Sequence, residues 1–377
     1  MNLARVSAVA RKEALHVLRD PRSLIITLAI PVMLMLLYGF ALSLDVNDVP
    51  LTVFDQSGTP ASRALISHFI GSRYFTLAGH ATTHHDVEHA LDTGTAIAGL
   101  VIPYNFEQLV QAGRPAPVQV LIDGSDANKA IIVRGYAQAA AATYANKVLV
   151  DEFERRGMRR PEPPVDARLR VWFNEDMESR NFIVPGLIAV IMTVIGALLT
   201  SVSVAREWEQ GTMEQLIATP VKRHELVAGK LAPYFLLGLC DLILCVVLGR
   251  YVFQVPLRGS LVFLFAAAMV FLAGTMALGM LISIATRNVQ LAVQTAMMVT
   301  YMPALMLSGF FVAIPNMPAP IRLVTHIVPA RYFVTMLKGL YLKGLGLRVL
   351  WSDALLLVLF AAGVLALSVR KFRKKLV

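Results

Sequence analysis

The chain has 377 residues, of which 56% are hydrophobic and 16% charged, with a net charge of +10 and a mean hydropathy of +0.61. That composition excludes an ordinary soluble domain. Two cysteines, Cys240 and Cys245, exclude a disulfide framework or a cysteine-based metal site.

The chain opens on a basic stretch, residues 1–23. Arg5, Lys12 and Arg19 recur every seven residues and share one helix face, with Val6, Ala10, Val17 and partly Val9 opposite. Such a helix can lie on anionic headgroups or form a docking surface. Six apolar runs follow, over residues 24–44, 182–205, 231–253, 260–286, 288–314 and 350–369. Each is long enough to cross a hydrocarbon core roughly 30 Å thick. The first is too long for a cleavable signal and lacks a small-residue cleavage site, so it reads as a permanent anchor.

Residues 45–180 form one inserted domain. Apolar strand-like runs at 51–54, 74–78, 96–102 and 118–122 alternate with helical stretches at 60–70, 83–91, 105–112 and 127–156. Asp55-Gln-Ser-Gly58, Gly113-Arg-Pro115 and Asp123-Gly-Ser125 supply the turns. Alternation of this kind predicts an α/β sheet layered with helices. The run at 155–164 reads as a linker back to the membrane. His85 and His89 sit one helical turn apart, a spacing that can chelate a metal, but beside Asp86 and Glu88 they read first as a wet helix face. No metal site is expected, and no catalytic motif occurs in the domain.

Charge sets the orientation. Arg5, Arg11, Lys12, Arg19 and Arg22 precede the first run, and Arg370, Lys371, Arg373, Lys374 and Lys375 follow the last, so both termini are expected in the cytoplasm. Residues 45–180 then lie outside. They hold 13 Lys+Arg against 17 Asp+Glu, and the remainder holds 22 against 8. The basic excess is topogenic and lipid-facing and implies no nucleic acid.

Residues 206–230 lie between the second and third spans and carry a compact polar segment, Arg206-Glu-Trp-Glu-Gln-Gly-Thr-Met-Glu-Gln-Leu-Ile-Ala-Thr-Pro220. The second span should run on through Glu207 and Glu209 and break at Gly211. Thr212 with Gln215 fits a capping box for a second, short helix. Met213, Leu216 and Ile217 share one face of that helix, with Glu214 off it, and Thr219-Pro220 ends it. A plain connecting loop is the alternative.

Within the spans at 231–314, Asp241 is the one acid in mid-span, and a membrane acid is a functional candidate. Met297, Met298 and Tyr301 on the fifth span could line an adaptable apolar path or simply pack. Ala273, Gly274, Ala277 and Gly279 favour close helix approach. Residues 315–349 carry Arg322, Arg331, Lys338, Lys343 and Arg348 with no acid, against the charge rule for an external loop. Either a span is miscounted or the segment folds back into the membrane with its bases reaching the headgroups; only the second keeps both basic tails on one side. Residues 350–377 are the sixth span and tail.

The segment Arg206-Glu-x-Glu-x-Gly-Thr-x-Glu-x-Leu216, with Thr219-Pro220, Glu225-Leu226 and Gly229-Lys230, closely resembles the permeases of ABC type-2 exporters. His326-x-x-Pro329-x-x-Tyr332-Phe333, with Gly339 and Gly344, resembles them too. The order of span, external domain and five spans is similar to the subgroup with a large external domain. The resemblance implies a six-span helical membrane protein with an extracytoplasmic α/β domain, in a bacterial inner membrane. It implies that 206–220 is a coupling helix docking into an ATPase subunit, that the amino-terminal helix touches the same subunit, and that His326, Pro329 and Tyr332 belong to a re-entrant external segment. It implies a second permease chain, identical or related, with a path between the two.

The chain itself has no G-x-x-x-x-G-K-[ST] loop. No cofactor is expected in it; ATP and Mg would be used by the partner ATPase. A drug, lipid or similar amphipathic solute is the expected cargo, and a periplasmic adaptor a possible further partner. A membrane sensor reading its external domain, an envelope polysaccharide exporter and a passive channel are the competing readings.

Overall fold

The computed structural model describes residues 2–41, 48–155, 172–174 and 178–372. The chain divides into two compact units, one made of residues 1–43 and 171–377, the other of residues 44–170. Most of the 155–164 linker, and Arg373, Lys374 and Lys375 of the basic tail, lie outside the described residues.

The first unit starts with α1 (Leu3–Leu18), capped by the Asn2 side chain, which accepts the Ala4 amide at 3.1 Å. Helix α2 (Pro21–Ala41) is apolar on all sides. The chain then enters the second unit.

That unit reads β1 (Val49–Asp55), α3 (Pro60–Ile70), β2 (Phe75–His80), α4 (His84–Asp92), β3 (Ala98–Ile102), α5 (Phe106–Gln111), β4 (Gln119–Ile122) and α6 (Ala127–Arg155). The sheet order is β2-β1-β3-β4, with β1 parallel to both neighbours and β4 antiparallel to β3. Strand β3 is buried at all five positions, as a strand covered on both faces must be. Phe69, Phe75, Val133, Ala137 and Tyr144 pack on the sheet from α3, β2 and α6. On the other face α4 crosses β3 at Gly99, where an added Cβ would strike Val87.

The histidine-rich helix α4 shows why its neighbours matter more than its imidazoles. Asp86 accepts the Thr82 hydroxyl at 2.7 Å and the Thr82 and Thr83 amides at 3.0 and 2.8 Å. These bonds hold its carboxyl at about 2, the Thr82 hydroxyl contributing most. A depressed carboxylate stabilises the fold above its unfolded value, 3.8, and stops doing so as the pH falls toward 2. Hydrogen exchange at the first turn of α4 is expected to rise over that window, and Asp86→Asn to flatten the dependence. His84 and His85 lean on Glu88 at 3.3 and 3.7 Å on an exposed face, the solvated face that the acids beside them suggest.

Back in the first unit come α7 (Ser179–Glu209), α8 (Thr212–Ala218), α9 (Arg223–Tyr251), α10 (Leu261–Thr286), α11 (Val289–Ala296), α12 (Met302–Leu307), α13 (Ala319–Val324), α14 (Pro329–Lys338) and α15 (Leu347–Lys371). A π-helical turn, Met297–Tyr301, joins α11 to α12. Among the described residues six helices are long and apolar enough to cross a membrane: α2, α7, α9, α10, the α11–α12 pair and α15. The chain is therefore a polytopic helical membrane protein with a small sheet. Helix boundaries differ from the apolar runs because polar residues extend the helices past the hydrocarbon; α9 begins at Arg223 rather than 231. The fifth span ends at Leu307, and Ile314 already belongs to a short 3₁₀ turn.

Helix α7 is the axis of the bundle. Its apolar window is 83% buried, against 17–50% for the other five. Small residues let α10 pack tightly along it: Gly279 meets Ala197 and Thr200, and Gly196 meets Thr275. Thr200 donates to the Met276 carbonyl at 2.8 Å, and the Ser283 hydroxyl oxygen lies 3.1 and 2.9 Å from the Val204 and Ala205 amides. Gly274 instead faces Phe360 and Ala361 of α15.

Helices α13 and α14, of 6 and 10 residues, are too short to cross a membrane, so no seventh span hides in the basic loop. Helix α14 buries Phe333, Val334, Met336 and Leu337, and Phe333 stacks on Phe271 of α10 with ring centroids 4.2 Å apart. Lys338 donates to the Gly309 carbonyl at 2.7 Å and lies over the Phe182 ring.

Candidate functional site

Four consecutive residues at the end of α7 tie it to α1, to α9, to the turn after α10 and to the start of α11. Arg206 reaches His16 of α1 at 3.4 Å. Glu207 accepts Lys12 of α1 at 2.7 Å and lies 2.7 Å from Lys230 of α9. The Trp208 ring carries the Arg287 guanidinium at 4.6 Å, at the turn after α10. Glu209 accepts the Val289 amide at 2.8 Å, at the start of α11. The charged pattern is thus a joint inside this chain.

Its centre is buried. Lys230 is 0% exposed, with Nζ 2.9 Å from Glu13 and 2.7 Å from Glu207, which are themselves 5% and 6% exposed. Lys12 completes the cluster at its half-exposed edge. Burial opposes the Lys12 ammonium, but the Glu207 bond and the charges of Glu207 and Glu13 outweigh it and raise its pKa. The stabilisation Lys12 lends is therefore full below pH 10.5 and is lost only as the pH rises through the raised value. Gly229 makes the arrangement possible, since a Cβ there would press on Val9 at 2.7 Å and hold α1 away from α9. A second tie lies one turn on: Glu225, 1% exposed, accepts the Asn2 amide at 2.7 Å and the Lys222 amide at 3.0 Å, and Arg5 donates to the Pro220 carbonyl at 2.7 Å.

The bend from α7 into α8 is made by Gly211, at φ +69°, a conformation in which a side chain would be strained. Gly211 is the residue before the helix, and Thr212 is its first turn, with its hydroxyl directed to the Glu207 carbonyl at 3.4 Å. The expected Thr212–Gln215 capping box does not form, because the left-handed glycine has already taken the capping position. Met213 is 1% exposed and packs with Val204, Leu226, Val227, Met280 and Phe372; Leu216 joins the edge of this cluster. Glu214 and Ala218 are exposed, as are Gln210, Gln215 and Pro220. Thr219 closes the helix with its hydroxyl on the Leu216 carbonyl at 2.6 Å. Of Ile217 only the backbone is described.

Of the heptad bases of α1, Arg5 lies 3.9 Å from Glu225 and Lys12 2.7 Å from Glu207, both with part of the side chain in solvent, while Arg19 is exposed at the helix end. The buried stripe of α1 includes Val9 and Glu13. Glu13 is the residue the sequence reading missed. The signal was an acid on the apolar stripe, one turn after Val9, where a solvated glutamate has no place.

The remaining candidates lie apart. Asp241 is 0% exposed, and neither carboxylate oxygen has a hydrogen-bond partner among the described residues. Met297 and Met298 face outward, 42% and 75% exposed, so the structure does not bring them to one surface with Asp241. Tyr301 is half-buried against the core. His326 sits in a 3₁₀ turn whose carbonyl accepts the Tyr332 hydroxyl at 2.7 Å and whose ring meets Arg331 at 2.9 Å. Pro329 opens α14. The His-x-x-Pro-x-x-Tyr spacing thus closes a turn onto the helix that follows.

Residues 21–370 match the family described as ABC-2 family transporter protein. The chain is 38% identical to the Escherichia coli (strain K12) protein named Probable multidrug ABC transporter permease YbhS, over 99% of this chain and 97% of that one. It is 29% identical to Probable multidrug ABC transporter permease YbhR of the same organism, over 98% and 99% of the two chains. With ABC transporter permease protein NatB of Bacillus subtilis (strain 168) it shares 25% identity over 60% of its length and 58% of the relative's.

Proposed function

Because the chain belongs to the ABC-2 family of transporter proteins, we propose that it is the permease of an exporter whose ATP, with Mg, is hydrolysed in a separate subunit. The observation that carries this reading is the α8 elbow. It presents Glu214, Gln215, Ala218 and Pro220 outward while Met213 and the Glu13–Lys230–Glu207 cluster tie it to α1, α7 and α9. A partner pressing on α8 moves three helices, which is what a two-state bundle driven from one end requires.

In this reading the α1–α8 end lies in the cytoplasm with both termini, following the basic flanks, and residues 45–180 lie outside, where they can meet an adaptor. The membrane is a bacterial inner membrane. A second permease chain packs against exposed apolar faces of the spans, and the solute passes between the two. Met297 and Met298 are the residues we assign to the path; Asp241 is enclosed and meets the path only after the bundle opens. The solute is amphipathic, in keeping with the word multidrug in the relatives' names.

The test separates the two faces of α8. Glu214→Lys and Ala218→Arg leave insertion and melting in detergent unchanged and weaken co-purification of an ATPase by about tenfold or more. Full retention of the ATPase and of transport by both variants would remove the docking assignment. Leu216→Asp is the wrong probe for docking, since Leu216 packs inward.

A further inference from the structure

Beside the joint lies a cavity of about 620 Å³, walled by α1, α2, α7, α8 and α9. That is the size of a drug-like ligand site. Its wall changes character along one direction. On α7, Leu198, Leu199 and Val202 line the cavity and Arg206 follows one turn later on the same face. From Leu198 to Arg206 the helix rises about 12 Å. Helix α9 contributes Tyr234 and, one turn deeper in the span, Leu237 to the wall. Helix α2 contributes Leu24 to the wall.

At the polar end the charges are not equivalent. Glu13 and Glu207 are held by Lys230 and Lys12. Asp20, also in the wall, has a partner of its own. Arg206 is half-buried, and its one observed polar contact among the described residues is the His16 ring, which carries no negative charge. A guanidinium beside apolar walls with no carboxylate opposite it is built for a charge-assisted bond to an anion.

We propose that this cavity binds an anionic amphiphile, with its phosphate or carboxylate head on Arg206 and His16 and its chain along Leu198, Leu199 and Val202. Gln215 of α8 also lines the cavity, so the site borders the face proposed for docking; lipid binding is read on the chain without an ATPase, so its failure and a failure of docking are told apart. Phospholipid from the surrounding leaflet and a free single-chain acid share this chemistry, and the experiment distinguishes them.

Native mass spectrometry of the full chain in detergent, with phosphatidylglycerol, phosphatidylcholine of equal chain length, dodecyl phosphate and inorganic phosphate as probes, decides the matter. Phosphatidylglycerol is expected to be retained about tenfold better than phosphatidylcholine, the worth of one charge-assisted bond. Arg206→Gln brings the two lipids level, and Arg206→Lys restores part of the difference. Val202→Trp, which fills the apolar wall, lowers binding of every chain-bearing probe. Dodecyl phosphate outcompeting phosphatidylglycerol identifies a single-chain acid as the ligand; the reverse identifies the phospholipid. Equal retention of both lipids by wild type, or an unchanged ratio in Arg206→Gln, overturns the proposal. So does displacement of the lipid by inorganic phosphate at the same concentration, since the chain would then contribute nothing. Should Val202→Trp fail to fold, the Arg206 series decides alone.

Discussion

Lys230→Met is expected to destabilise the membrane unit by about 3–5 kcal/mol, the usual cost of removing one partner from a buried ion cluster. Methionine keeps the volume and the apolar stem, so the loss comes from charge. Without Lys230, Glu13 and Glu207 remain 5% and 6% exposed and share only Lys12, which is itself half in solvent. Two buried carboxylates cannot both be satisfied by one such ammonium, and α1 should lift away from α9. The measurements are melting in detergent and protease cleavage within residues 3–18. The triple variant Glu13→Gln, Lys230→Met, Glu207→Gln should recover most of the stability, because neutral groups of similar shape carry no buried charge. A single variant that melts with wild type would show that the cluster does not hold the helices.

Gly279→Val is the second large effect, expected to cost about 3 kcal/mol or more through overpacking. The new side chain would run into the Ala197 carbonyl and the Thr200 hydroxyl of α7. Neither can yield cheaply. The first is helix backbone, and the second is bonded to Met276 at 2.8 Å across the same seam. Gly363 of α15, with open space around it, accepts alanine as a control. Monodisperse elution and melting of the two variants report the difference; equal behaviour would mean that the α7–α10 seam adjusts freely.

The spans were legible because twenty apolar residues in a row have one common use. The α/β unit was legible because turn residues separate its strands and helices at each step; all four strands and four helices lie where the pattern puts them, within a few residues. What the pattern could not supply is who meets whom. The acids of the 206–220 segment looked like a surface for a partner, yet Glu207 and Glu209 are spent inside the chain on Lys230 and the Val289 amide. Partners 23 and 80 residues away, or 217 in the case of Glu13 and Lys230, leave no trace in local periodicity. The same holds for Thr212: its sequence context fits a cap, but Gly211 decides the geometry. Glu214 is the acid of that segment that a reading of one helix face alone placed correctly off the packed side.

Helix α7 has a further consequence. It is one unbroken rod of 31 residues, roughly 46 Å from end to end. An α-helix is stiff along its axis, because stretching it breaks the hydrogen bonds that run in that direction. One end is fastened by Arg206, Glu207, Trp208 and Glu209; near the other, Gly186 lies against Phe310, and Phe182 lies under Lys338. The rod therefore works as a strut: a displacement imposed at its charged end arrives at the far end almost undiminished, without any relay of side chains. A soft point is Pro185, which has no amide to donate to the Asn181 carbonyl and, with Gly186 beside it, lies within two turns of Ser179. Compliance is thus concentrated where the strut meets Lys338, so that is where motion at one end would be converted into rotation at the other.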